Sequence, residues 1–241
     1  MNNNIVYFFV EGSIGAGKTT ILECLERRVR ETRNSAPIVT VPEPIAAWRN
    51  VRGHNVLDRF YAEPARWALA FQTHAMATRV AAVRDAVTAA LAAREPTARN
   101  EPLVVVCERS IYTDRFIFVE MLHAAGTLDD AERALYETAF DYYASHAYPG
   151  THGGIIYLKS DAEECAHRIT TRGRGEEEAI AIEYLQELDK AHDRALASPD
   201  GWETTDMLRL DVESLGNVAH DDDAARAVAD RILAFISLAT S

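Results

Sequence analysis

The chain of 241 residues is short of several things, and each shortage narrows what it can be. It has three cysteines, Cys24, Cys107 and Cys165, widely separated, odd in number and without a Cys-x-x-Cys pair. That argues against a disulfide framework and a cysteine metal site, and leaves buried thiols in a reducing compartment as the expectation. No stretch approaches an unbroken apolar membrane span, so a soluble chain with no membrane partner is expected. Met1 to Asn4 is too short to be a signal or transit peptide, which points to the cytoplasm. Positive charge is scarce: 25 Lys and Arg stand against 37 Asp and Glu, a formal net charge of −12. Surfaces that bind nucleic acid in bulk are usually basic, so no nucleic-acid partner is expected, although a local basic pocket for phosphates is compatible with the total. Lysine is scarcer still, with only Lys18, Lys159 and Lys190. That bias toward arginine fits GC-rich coding and says nothing of function. The eight histidines make no repeated ligand spacing and read as surface or packing residues. With no internal repeat, linker or low-complexity tract, residues 1–241 read as a single domain around one sizeable core.

What is present begins with Gly12-Ser13-Ile14-Gly15-Ala16-Gly17-Lys18-Thr19-Thr20. An apolar run, Ile5 to Val10, precedes it, and Ile21-Leu22-Glu23-Cys24-Leu25 continues it with helical spacing. Strand, glycine-rich turn and helix, with Gly-x4-Gly-Lys-Thr in the turn, is the Walker A arrangement. Glycines let backbone N–H groups curl around phosphate oxygens, and the helix N-terminus adds partial positive charge. Lys18 has the reach for a transferred phosphate, and the Thr19 hydroxyl suits Mg²⁺. This stretch is a nucleotide phosphate site.

The remainder alternates short apolar strands with helices. Strands are expected at 38–41, 103–107, 155–159 and 207–211. Pro42 and Pro44 stop the second strand, and turns are read at Ser35-Ala36-Pro37 and from Pro96 to Pro102. A mixed polar and apolar connection runs from Trp48 to Tyr61, and Pro64 opens a long Ala-rich helix to about Ala93. A helix follows Ser110 and is closed by Gly126 near Ala125. Asp129 to Glu132 resembles a capping box for a helix to about Ala147, and Ser160 with Glu163 resembles another for a helix to about Arg172. Pro149-Gly150 and Gly153-Gly154 read as the turn into the fourth strand. A charged loop, 173–178, precedes a helix that ends before Pro199, and a last amphipathic helix covers Asp222 to Leu238. The pattern predicts an α/β, P-loop NTPase-like three-layer sandwich: a five-stranded parallel sheet covered by helices on both faces.

In a parallel sheet, ligands gather at the carboxyl ends of the strands, where Glu43 and Glu108-Arg109 fall. Glu43, pinned between prolines, suits a general base for an attacking hydroxyl; the alternative is a solvated turn carboxylate. Glu108 ends a strand where many P-loop enzymes place an Asp that holds Mg²⁺. Arg109 has a rigid fork for Glu43 or a substrate oxygen, unless the pair is a salt bridge serving stability. Arg168 and Arg172 lie one helical turn apart with Arg174 beyond, and no acids offset them at the same spacing. They fit a lid that closes over phosphates, or else a solvated helix end. Gln72, Met76 and Arg79 share one face of the long helix, and Asp114 is placed to pair with Arg79. Together they offer donors and acceptors for the edge of a base; the alternative is a surface ion pair with an exposed glutamine. By residue type alone, Trp48 and Tyr61 are core or interface aromatics.

Taken in order, the segments EGSIGAGKTT, EPIAAWRNVRGHN, RWALAFQTHA, ERSIYTDRFIF, GGIIYLK, RITTRGRGEEE and IEYLQELDKAH cover most of the chain. The sequence they make resembles the deoxynucleoside kinases of the deoxycytidine kinase, deoxyguanosine kinase and mitochondrial thymidine kinase type. That resemblance implies ATP- and Mg²⁺-dependent phosphorylation of the 5′-hydroxyl of a deoxynucleoside. It implies that Glu43 is the base, that Arg109 steadies the 5′ region, and that Glu108 works at the metal. It also implies that Tyr61 and Glu177 hold the 3′-hydroxyl, that Gln72 holds the base, and that Trp48 lines the pocket. Arg168, Arg172 and Arg174 would form the lid, with Arg172 near the adenine of ATP, and the family is a homodimer built through helices on one side of the sheet. WRNVRGHN and RFIFVE look most like the mitochondrial thymidine kinase and insect enzymes, whereas Arg79 and Asp114 look like the deoxycytidine and deoxyguanosine enzymes. Those two side chains would fill the room a 5-methyl group needs, so deoxycytidine or purine deoxynucleosides are expected ahead of thymidine. Relatives made for mitochondria carry a transit segment; a mature form, or a bacterial or viral cytoplasmic enzyme, fits this chain.

Two rival readings stand beside this one. A nucleoside monophosphate kinase of the thymidylate kinase type would need extra positive groups for a charged acceptor, whereas Glu43 suits a neutral hydroxyl. A GTP-binding switch would want Asn/Thr-Lys-x-Asp, and the nearest match, Leu158-Lys159-Ser160-Asp161, has the wrong first residue.

Overall fold

The computed structural model describes residues 4–32, 37–94, 101–178, 180–197 and 206–240. Five strands, β1 (Ile5–Gly12), β2 (Ile38–Val41), β3 (Leu103–Glu108), β4 (Thr151–Lys159) and β5 (Met207–Asp211), form one sheet. Every pairing is parallel, and the order is β2-β3-β1-β4-β5. The two central strands, β1 and β3, are buried along their whole length, which is why they read as unbroken apolar runs.

Side chains alternate across a strand, so each strand serves two cores. Tyr7 and Phe9 of β1, with Val105 and Cys107 of β3, face one cluster. It is closed by α4 (Pro64–Ala93) and α7 (Asp130–Ala147). Val6, Phe8 and Val10, with Val104 and Val106, face the other. That second core is covered by α1 (Lys18–Glu31), α8 (Ala162–Arg172), the start of α9 (Ile182–Ala197) and α10 (Asp222–Thr240). Helix, sheet and helix make the three layers that the alternating pattern predicts. The same period places Glu11, next after Val10, on the α4 side and Glu108, next after Cys107, on the α1 side.

Local structure departs from the sequence reading at four points. The connection from Trp48 to Tyr61 holds two short helices, α2 (Ile45–Arg49) and α3 (Val56–Ala62), the latter capped by the Asn55 side chain accepting from the Asp58 N–H. Helices of five and seven residues are too short to show a period. The helix after Ser110 is not uniform: α5 (Ile111–Thr113) widens into a π-helical stretch, Asp114–Val119, before α6 (Glu120–Ala124). Strand β4 starts at Thr151, not at Ile155, because Gly153 is a bulge residue within it rather than a turn. A Cβ on Gly153 would stand 2.5 Å from the Phe8 ring, so the glycine admits that ring against the backbone. The expected Ser160–Glu163 capping box is absent. Asp161 is the N-cap of α8, and the Ser160 hydroxyl donates instead to Glu213 at 2.7 Å.

The turns read at Ser35-Ala36, from Pro96 to Asn100, and at Pro199 lie outside the described residues. Within them, no helix is long and apolar enough to cross a membrane, and Cys24, Cys107 and Cys165 are buried and unbridged. The capping box at Asp129 is complete, with Asp129 accepting from the Glu132 N–H at 2.8 Å and Glu132 from the Asp129 N–H at 3.0 Å. Asp129→Ala is expected to cost about 1 kcal/mol of unfolding free energy in urea, whereas Glu163→Ala, which caps nothing, stays within about 0.5 kcal/mol of the parent.

Candidate active site

The turn after β1 is built for close backbone approach. At Gly12 an added Cβ would lie 2.5 Å from the Leu158 carbonyl oxygen. At Gly15 (φ +83°) it would lie 2.5 Å from the Cys165 carbonyl oxygen, so only glycine lets the loop pass there. Ala16 packs into the core below the turn, Ile14 and Gly15 line its open side, and Gly17 is the N-cap of α1, which Lys18, Thr19 and Thr20 open. Lys18 is buried and curls over the loop, its Nζ donating to the carbonyls of Gly12 (3.2 Å) and Ser13 (2.8 Å). Burial, reinforced by Arg109, lowers its ammonium to about 8. The Ser13 hydroxyl is buried without a partner. These groups leave a cradle whose free donors suit phosphate oxygens.

Beside the loop, the β1–β3 pairing sets Glu108 opposite Val10, and the Thr19 hydroxyl donates to the Glu108 carboxylate at 2.9 and 3.2 Å. Hydroxyl and carboxylate oxygens at a phosphate loop are hard donors of the kind Mg²⁺ takes, so this donor set fits that ion. Glu43, two residues past β2, is tied to the same place through its N–H, 3.4 Å from Glu108 Oε2. Its carboxylate lies 3.0 Å from Arg79 Nη2 and 3.4 Å from Arg109 Nε. Burial works to raise the Glu43 carboxyl, but Arg79, Arg109 and Lys18 outweigh it and hold the group below its ordinary value. Glu43 is therefore ionised and able to accept a proton at neutral pH.

Arg79 is the hub of the site. It bonds Asp114 through Nε (3.1 Å) and Nη2 (3.2 Å), and its Nη1 donates to the Glu108 carbonyl at 3.0 Å. Burial raises the Asp114 carboxyl against the pull of Arg79. Gln72 and Arg79 are 2% and 3% exposed, so the surface ion pair with a free glutamine is not what forms. Both line a cavity of about 250 Å³ that runs from the phosphate loop to α3. Met76 shares their face of α4 but is sealed in the apolar core and takes no part in the cavity wall. Trp48 serves both: its indole N–H donates to Thr78 at 2.8 Å, it meets Phe71 edge-on, and it forms part of the wall. Tyr61 lines the same cavity; burial pushes its hydroxyl well above the ordinary value, and Tyr184, Glu177 and Glu43 push the same way.

Of the three arginines assigned to a lid, two reach the cavity. Arg172 and Arg174 both pair with Glu177, the latter at 3.2 Å, and all three line the opening. Arg168 does not; it is held by Glu164 one turn earlier at 3.1 Å and by the Ser160 hydroxyl at 3.3 Å. The expectation that no acids offset these arginines is thus overturned by Glu164 and Glu177. A further pair, Arg49 with Glu176, ties the same turn to α2.

The sequence profile of the Deoxynucleoside kinase family matches residues 8–237. The chain belongs to the deoxynucleoside kinase family. Among its relatives, it is 32% identical over 225 residues to deoxycytidine kinase 2 of Gallus gallus, covering 87% of this chain and 78% of that one. To human deoxycytidine kinase it is 33% identical over 200 residues (76% and 72% of the two chains). To the mitochondrial thymidine kinase 2 of Macaca fascicularis it is 33% identical over 187 residues (78% and 63%). It is accordingly an enzyme, a nucleotide-dependent kinase acting on deoxynucleosides.

Several parts of the site of this deoxynucleoside kinase escape sequence reasoning. Phe71, Phe118 and Tyr184 complete the cavity wall, and the Arg109 guanidinium lies 5.0 Å from the Phe118 ring. Isolated aromatics carry no signal that separates wall from core. Glu11 is different: a carboxylate at the end of a run of six apolar residues was a visible anomaly. It is fully buried, accepts from the hydroxyls of Thr113 (2.6 Å) and Ser110 (3.2 Å) through Oε1, and leaves Oε2 without a partner. Burial raises its carboxyl from 4.5 to about 7, against the pull of Arg109, Thr113, Arg79 and Lys18.

Between those two values the folded protein holds a proton that the unfolded chain has released. The Glu11 contribution to stability is therefore full at acid pH and lost as pH rises through about 7. Glu11→Gln, which cannot ionise, is expected to match the parent in melting temperature near pH 4.5 and to exceed it increasingly toward pH 8. A difference that does not change with pH would contradict this.

Proposed function

We propose that this kinase transfers the terminal phosphoryl group of ATP, with Mg²⁺, to the 5′-hydroxyl of a deoxynucleoside, and that one domain over residues 1–241 carries the activity. The observation that supports it best is the Glu43 carboxylate, fixed by Arg79 and Arg109 between the phosphate loop and the adjoining cavity. In this reading Glu43 accepts the proton of the 5′-hydroxyl as its oxygen attacks, and Arg109 steadies the charge on that side. Lys18, released from its loop carbonyls, turns to the transferred group. Gly12 to Thr20 cradle the donor phosphates. Thr19 and Glu108 would hold Mg²⁺, which when bound neutralises charge on the donor phosphates. Arg172 and Arg174 close over the donor, with Arg168 on the helix of Arg172 but outside the cavity.

On the acceptor side, Tyr61 and Glu177 take the 3′-hydroxyl and Gln72, Arg79 and Asp114 meet the base, with Trp48 as a wall. The buried Arg79–Asp114 pair supports deoxycytidine or a purine deoxynucleoside over thymidine, since it occupies room a 5-methyl group needs and rewards an exocyclic amino group. An unpaired polar partner in a closed pocket costs about 1–3 kcal/mol, enough to order substrates without excluding any. The WRNVRGHN and RFIFVE segments favour a second reading, a thymidine-preferring or broad enzyme. Leu135 and Tyr142, 63% and 66% exposed on α7, which packs beside α4, support a homodimer through that side of the sheet.

ADP release from ATP is expected to be stimulated by deoxynucleosides and not by their monophosphates; the reverse would favour a monophosphate kinase. Glu43→Gln should lower kcat by about 10²–10⁴-fold with ATP binding retained, and a parental rate would remove Glu43 from the mechanism. In kcat/KM for the four deoxynucleosides, deoxycytidine or a purine should rank first. Arg79→Met with Asp114→Ala should raise thymidine use about tenfold or more; thymidine first in the parent, or no change in the variant, sinks the pocket argument.

A further inference from the structure

Arg109 stands in an unfavourable place. Its φ is +63°, one of two non-glycine residues with a positive φ among those described, and its side chain is 2% exposed. A left-handed, buried arginine persists only where its surroundings over-determine it. On one side the constraint is plain: the Arg109 N–H donates to Val10 O at 3.0 Å, continuing the sheet ladder. On the other side stands Ser110, the N-cap of α5, whose hydroxyl accepts from the Thr113 N–H at 3.2 Å while its N–H donates to Thr113 Oγ1 at 3.3 Å. That box caps a helix of only three residues before the π-helical stretch, too little to be stable by itself.

What anchors the box is Glu11. Both of its hydroxyls, Ser110 Oγ and Thr113 Oγ1, converge on the single oxygen Glu11 Oε1. Glu11, Ser110 and Thr113 are each fully buried, so no water competes for those bonds. Because Glu11 belongs to β1 immediately before Gly12, the same strand residue is joined to the phosphate loop by one peptide bond and to the Arg109 turn by two hydrogen bonds.

We propose that Glu11 is a positioning residue for phosphoryl transfer: it clamps the Ser110–Thr113 turn to the central strand and thereby holds Arg109 against Glu43 in register with the phosphate loop. Glu11 touches neither the cavity nor Glu43; it acts through Arg109. The inference rests on the reading of Glu43 and Arg109 given above. Gln in place of Glu11 keeps an oxygen for both hydroxyls, whereas Ala removes it.

The test is steady-state kinetics of the full chain with ATP and its best deoxynucleoside. Glu11→Ala is expected to lower kcat by about 10- to 100-fold, the cost of a displaced catalytic group, while KM for ATP moves less than about threefold. Glu11→Gln should restore kcat to within about threefold of the parent at the same pH, because the accepting oxygen is what the clamp requires. Ser110→Ala with Thr113→Val, which keeps Glu11 and removes both donors, should reproduce the loss and carries the test if Glu11→Ala does not fold. In an Arg109→Lys background the further cost of Glu11→Ala should shrink to less than about threefold, because the residue it positions has gone. Parental kcat in the Ser110/Thr113 variant, an equal loss in Gln and Ala variants, or an undiminished loss in the Arg109→Lys background would each overturn the proposal. If Arg109→Lys itself keeps the parental kcat, the reading of Arg109 in the mechanism fails, and that result is separate from a failure of the clamp.

Discussion

Everything in this site depends on one buried guanidinium. Arg79 comes from the middle of α4, and its donors engage Asp114 of the π-helical stretch, Glu43 beyond β2 and the backbone carbonyl at the end of β3. Three regions far apart in sequence, at residue 43, residue 79 and residues 108–114, are thereby joined at one side chain. Removing a single partner from a buried ion pair leaves an uncompensated charge and costs about 3–5 kcal/mol, so none of these residues is free to vary alone. The same arrangement sets the electrostatics: two carboxylates flank one guanidinium, and Arg109 supplies a second positive charge that keeps Glu43 ionised.

The sheet divides the chemistry between its faces. Alternation sends Glu108 to the α1 side, where it meets Thr19, and Glu11 to the α4 side, where it meets Ser110 and Thr113. One carboxylate at each strand end, pointing opposite ways, would in the proposed reaction keep the donor and acceptor halves distinct while both are fixed to adjacent strands. Arg109 and Glu43 sit where the halves meet. Phosphoryl transfer is largely positioning and charge stabilisation, so a rigid shared frame is the main thing the fold has to supply.

Much of this was legible in the residues. The five strands and their parallel arrangement followed from continuous apolar runs, and the phosphate loop from its glycines. The placing of Glu43 and Glu108-Arg109 at neighbouring strand ends followed from topology. What stayed hidden depended on contacts that have no local period. Met76 shares a helix face with Gln72 and Arg79, yet a face is wider than a cavity, and Met76 falls on the apolar part of it. The Arg168–Glu164 pair, by contrast, has the same four-residue spacing as Arg168 and Arg172 and was legible in the sequence. Ser160 looked like a cap because the sequence does not reveal that Glu213, far along the chain, takes its hydroxyl. The Arg79–Glu43 bond could not be read at all, since it needs the third dimension.

The widened helical stretch from Asp114 to Val119 serves as a change of phase. An ordinary α-helix repeats every 3.6 residues, so the angular offset between any two side chains is set by their separation along the chain. A helix starting at Ser110 has two clients at fixed positions: the cavity, to which Asp114 and Phe118 contribute, and the apolar cores, into which Ile111, Ile117, Val119 and Leu122 pack. The π turn absorbs one residue and rotates everything after it relative to everything before. Deleting one residue here would return the regular pitch and turn the later half of the helix toward the wrong neighbours. In this enzyme a count of residues, as much as their identity, is part of the site.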